Sequence, residues 1–130
     1  MACVKAIDLF GKTTECDVAE IMARADLRDD QGYNYLVVFK VGAQRFPLMV
    51  VYFKDERAVV TYIQDEESGV QLLTSDSSDR EDGEVQFRSP FEGGDTFTED
   101  FIVTSSTAVK FLRAFVTGAP WPELPFWETL

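Results

Sequence analysis

The sequence predicts an α+β fold, a single domain whose antiparallel meander sheet is covered by two helices. Three observations lead there. Three runs rich in β-branched and aromatic residues, Tyr33–Val41, Phe46–Lys54 and Ala58–Gln64, follow one another closely. Their breaks, Gly42-Ala43-Gln44 and Asp55-Glu56-Arg57, are too short for parallel crossovers, so neighbouring runs fold back antiparallel. Two stretches have helical spacing instead, Val18, Ile21, Met22 and Ala25 before the meander, and Ala108, Val109, Phe111, Leu112, Phe115 and Val116 after it. A length of 130 residues fits one domain spanning 1–130.

Taken in order, Val4–Phe10 reads as a first strand that Gly11-Lys12 breaks. Thr13 or Thr14 then offers an N-cap for a helix from about Glu15 to Ala25, with Glu15 and Asp17 in the first turn, where the helix dipole favours acids. Met22 on its apolar stripe is a core residue. Arg28–Gly32 is a loop, and the meander follows. Pro47 is tolerated at the beginning of a strand or on an edge. Leu36–Phe39 and Leu48–Phe53 are apolar on both faces, so helices or loops must cover both.

Beyond Gln64, Asp65–Gly69 is a charged turn and Val70–Leu73 a brief strand. Thr74–Gly83 has no large apolar residue and reads as a solvated loop. Glu84–Arg88 alternates as a half-exposed strand, Ser89–Asp100 reads as a loop carrying Phe91 and Phe97, and Phe101–Val103 leads into the second helix. Thr104, Ser105 or Ser106 caps that helix, which runs over about 106–117. Gly118 sits at the left-handed C-terminal position, and Pro120 prevents continuation. The tail Trp121–Trp127 is apolar enough to lie extended against the sheet, with both Trp as packing residues.

Composition removes several chemistries. There is no His, which excludes Ser-His-Asp and Cys-His catalysis as well as HExxH and HxE zinc sites. The two Cys, Cys3 and Cys16, form no CxxC and are too few for a disulfide framework. No phosphate-cradling Gly-rich motif occurs, and no cofactor or metal is expected. No apolar run approaches the ~20 residues of a membrane span. The start has no signal-peptide core, with Asp8 inside the stretch that would form it, so the expected compartment is the cytoplasm.

The net charge of −11 is segregated. Residues 1–54 hold seven acids and seven Lys/Arg, and residues 101–130 hold two of each. Residues 55–100 hold fourteen acids against three Arg. Solubility alone does not require such segregation. A single-sign patch steers cationic partners toward itself and disfavours direct contact with nucleic acid or an anionic membrane.

The string Ala108-Val-Lys-Phe-Leu-Arg-Ala-Phe-Val-Thr-Gly-Ala-Pro-Trp-Pro-Glu-Leu-Pro-Phe-Trp127 resembles the ending of a large family of immunity proteins. These small proteins neutralise bacterial polymorphic toxins; the family is the one numbered first in that classification. Phe46-Pro-Leu-Met and Ala58-Val-Val-Thr-Tyr62 are similar to its central hairpin, and Glu123–Leu130 is similar to the ending of members directed at a secreted DNA cytosine deaminase toxin. The resemblance covers about two thirds of the chain and consists of packing residues. It implies a small α+β protein without a catalytic site that binds one cognate toxin.

The expected function is therefore a toxin inhibitor, with an acidic face covering the basic substrate cleft of a deaminase or nuclease. The candidate contact residues are the acids Asp65, Glu66, Glu67, Asp79, Glu81, Asp82, Glu84, Glu92, Asp95 and Glu99, with Phe87, Phe91 and Phe97 as aromatic anchors among them. The alternative is an acidic nucleic-acid mimic or a chaperone-like module for another basic protein. A glycosidase-like carboxylate pair needs an apolar wall to raise one pKa, and these Ser-rich acidic loops offer little of it. Asp76–Gly83 lacks EF-hand spacing, because Asp76 and Asp79 are three apart and Gly83 falls eighth.

Overall fold

Residues 33–63 form the centre of the fold, as the run of β-branched and aromatic residues predicts. The computed structural model describes residues 3–42, 46–66, 69–72, 84–90, 94–122 and 127–129. Strands β3 (Tyr33–Lys40), β4 (Leu48–Lys54) and β5 (Arg57–Ile63) pair antiparallel in that order. Lys54 lies opposite Arg57, so Asp55 and Glu56 alone turn the second hairpin, with Asp55 at φ 53°.

The sheet extends both ways. On one side β1 (Val4–Ile7) joins β3, and β2 (Thr13–Cys16) joins β1. On the other side β6 (Gly69–Leu72) pairs with β5 at residues 61–63, and β10 (Trp127–Thr129) pairs with β6. The short β9 (Val103–Thr104) pairs with Arg57 and Ala58 at the other end of β5. The backbone at 127–129 thus lies extended against the sheet, as the apolar tail implied, and the side chain of Trp127 lies outside the described residues.

Both helices pack on the same face. Helix α1 (Val18–Ala25) contributes Ile21 and Ala25, and helix α2 (Ser105–Thr117) contributes Ala108, Phe111, Leu112, Phe115 and Val116. They meet Val4, Ala6, Leu36, Val38, Met49, Val51, Phe53, Ala58 and Val60, the alternate residues of four strands. Helix α2 starts at Thr104, whose hydroxyl accepts from the Thr107 amide, and ends at Gly118 with φ 76°, where a side chain would be strained.

Helix α1 begins later than the sequence reading places it. Thr13 and Thr14 are strand residues paired with Ile7 and Ala6, and neither caps the helix. Asp17 is the cap. Its carboxylate accepts from the Glu20 amide at 2.8 Å, and the Glu20 carboxylate accepts from the Asp17 amide at 3.2 Å. The first strand also ends earlier, at Ile7, where the Asp8–Lys12 turn begins.

The opposite face of the sheet is covered by strands rather than by a helix. The predicted loop 89–100 contains β8 (Asp95–Thr98), which pairs antiparallel with β7 (Glu84–Phe87). A turn of 3-10 helix, Glu99–Phe101, follows. This unit packs Phe87, Ile102, Val85, Phe97 and Phe101 onto Tyr35, Tyr52 and Val59. Two-faced apolar strands required two covers, and the second is a β-hairpin.

Candidate functional site

The acidic segment is threaded through the hairpin that covers the sheet, so its residues divide between holding the fold and facing outward. At the close approach of β7 and β8, a side chain on Gly94 would collide with the Phe87 carbonyl, and φ there is 63°. Phe87 itself is fully buried, at 0% exposure, between the rings of Tyr52 and Phe97, with centroids at 6.2 and 5.9 Å. This corrects its assignment as a partner-contacting anchor, because it has no surface to offer. Phe97 is half-buried, with its ring 5.0 Å from that of Tyr52 and edge-on to it.

Two of the candidate acids have intramolecular work. The Tyr52 hydroxyl donates to Asp95 Oδ2 at 2.6 Å, tying the start of β8 to the middle of the sheet. Burial pushes the Tyr52 phenol strongly up, and the hydrogen bond and charge of Asp95 push the same way. Tyr35 is raised too, by burial first and Asp95 second. Glu99 forms an ion pair with Arg57 at 3.6 Å, beside the β5–β9 pairing. Arg88, just after β7, faces Asp29 at 3.4 Å and Gln31 at 3.2 Å, and its guanidinium lies 5.8 Å from the centre of the Tyr33 ring.

Asp65 and Glu66 are exposed in the turn that leaves β5. Glu84 lies in β7 opposite Thr98. Glu67, Asp79, Glu81, Asp82, Phe91 and Glu92 lie outside the described residues. The structure thus brings Glu84, Phe87, Asp95, Phe97 and Glu99 together in one hairpin unit, while Asp65 and Glu66 sit in a different turn of the same segment. Among the described residues, no group of three or more His, Cys, Asp or Glu is placed to hold a metal ion. No helix among them is long and apolar enough to cross a membrane. Exposed carboxylates such as these can accept hydrogen bonds from Lys and Arg of a partner.

The surface beside the Asp8–Lys12 turn carries no sequence motif. There Phe10 is 86% exposed, and a groove runs from it to Leu27. The available signal was Asp8 followed by Gly11, a turn pattern that takes Phe10 out of the strand and turns it outward. Comparison with protein-family models and with curated protein sequences finds no match to this chain.

Proposed function

We propose that the protein is a non-catalytic inhibitor that binds a cognate secreted toxin acting on nucleic acid, a deaminase or nuclease, and covers its basic substrate cleft with acids of the 55–100 segment. The observation that carries this reading is the charge segregation: fourteen acids against three Arg in residues 55–100, between two flanks of zero net charge. An enzyme acting on polyanionic nucleic acid presents a basic cleft, and a surface of opposite sign is attracted to it over about a Debye length. Exposed Asp65 and Glu66 lie on this segment, whereas Asp95 and Glu99 fix the hairpin that carries it.

The test is co-expression with the product of the adjoining gene. A stoichiometric complex by light scattering, together with restored growth of cells expressing that product, is the expected result. No complex and no rescue would remove the toxin-inhibitor reading. Rescue by an unrelated chain of equal negative charge would reduce it to general acidic mimicry.

A further inference from the structure

The two faces of the sheet are covered unequally. Among the described residues, the core between the helices and the sheet holds eighteen buried residues. The core on the hairpin side holds five: Tyr35, Tyr52, Val59, Phe87 and Ile102. Of those five, Phe87 alone comes from β7 or β8, and Val85 and Phe97 pack against the cluster half-buried. Local opening is favoured where buried apolar contacts are few.

The backbone pairing divides in the same way. Strands β3, β4 and β5 are each bonded to neighbours along both edges of the eight-stranded sheet. Strands β7 and β8 bond to each other over four residue pairs and form a sheet of their own. A two-stranded hairpin is marginally stable in water without a layer to pack on.

The ties that the described residues show between this hairpin and the larger sheet run through side chains. The Phe87 ring meets that of Tyr52, with centroids 6.2 Å apart, and Phe97 meets Tyr52 at 5.0 Å. Arg88 faces Asp29 at 3.4 Å, but its side chain is about half exposed, and an ion pair in water holds little. The hydrogen bond from the Tyr52 hydroxyl to Asp95 Oδ2, at 2.6 Å, is partly buried and charge-assisted. It joins the middle strand of the sheet to the start of β8.

We infer that the β7–β8 hairpin is a cover that opens as one unit from a sheet that stays folded, with the Tyr52–Asp95 hydrogen bond as its latch. Opening bares the apolar sheet face around Tyr35, Tyr52 and Val59 and frees the Asp95 carboxylate. The latch therefore sets how this part of the acidic segment is displayed. Opening needs no partner, so it is measured on the protein alone.

Native-state amide hydrogen exchange of the full chain, followed by NMR at urea concentrations below the unfolding transition, reads each layer separately. Relative to unstructured rates, amides bonded between β7 and β8 are expected to exchange at least about tenfold faster than those bonded between β4 and β5. Their urea dependence should be less than about half as steep, since opening exposes less surface than unfolding. Ile21→Val thins the helix-side core without touching the cover. It is expected to speed exchange in β4 and β5 about two- to tenfold and to leave the β7–β8 amides at wild-type rates. Tyr52→Phe is expected to speed the β7–β8 amides about tenfold. Equal protection with equal urea slopes in the two layers of wild type would overturn the separable cover, as would equal speeding of both layers by Ile21→Val. Unchanged β7–β8 exchange in Tyr52→Phe would overturn the latch.

Discussion

Tyr52 stands in the middle strand of the sheet on the face that the hairpin covers, and its hydroxyl reaches a carboxylate forty-three residues away. The phenol is buried and donates to Asp95, so the folded protein holds it neutral well past its ordinary range. In the unfolded chain it ionises near pH 10. Folding stability is therefore fully present below about pH 10 and is lost as pH rises beyond it, because the unfolded state then releases protons that the folded state keeps. Tyr52→Phe is expected to cost about 1–2 kcal/mol at neutral pH through the lost charge-assisted hydrogen bond. Its stability should also fall less steeply in alkali than that of wild type. Urea unfolding from pH 7 to 11 checks both, and parallel curves for the two proteins would contradict the role given to this pair. The sequence showed both residues but not their pairing. In the sequence Asp95 is one acid among many, because a bond across that separation leaves no local pattern. The burial of Phe87 is hidden for the same reason: alternation puts it on one side of a strand, and only the sheet beneath shows that side to be the core.

Helix α1 shows how neighbouring signals compete over a few residues. Thr13, Thr14 and Asp17 can all cap a helix, and the first two are also β-branched. Pairing with β1 claims Thr13 and Thr14, and Asp17 takes the cap in a reciprocal exchange with Glu20. The Asp-x-x-Glu spacing that marks such an exchange was present in the sequence. Asp17→Ala should lower stability by about 1 kcal/mol, and Thr13→Ala by much less. Equal losses in denaturant titrations would return the cap to the threonines. The meander strands and α2 were legible almost to their ends, since composition and breakers agree there: β-branched and aromatic runs between short breaks for the strands, and for α2 an apolar stripe closed by Gly118. The hairpin was only half legible. Strand β8 is four residues long, begins with Asp95 between Gly94 and Glu99, and takes its register entirely from β7, so neither length nor pattern announced it.

For the whole molecule, the architecture separates two tasks. The helices and one face of the sheet form the larger core, and the opposite face carries the hairpin through which the acidic segment runs. Exposed charges contribute little to folding, so a concentration of them on one segment has its main effect on encounters with other molecules. The charge distribution was fully legible in the sequence, because counting needs no coordinates. The groove lined by Phe10 and Leu27 was not, because they are seventeen residues apart and come to line one groove only through the packing of α1 beside the Asp8–Lys12 turn. The claim that the acidic segment captures a basic toxin is tested most directly by the association rate over a salt series. Wild type is compared with Asp65→Lys/Glu66→Lys/Glu67→Lys, against the product of the adjoining gene. The wild-type rate should fall steeply as salt rises; the triple variant should associate about tenfold more slowly at low salt, with a flatter salt dependence. Equal rates at every salt concentration, with growth rescue intact, would contradict the account and make the acidic segment a solubility device.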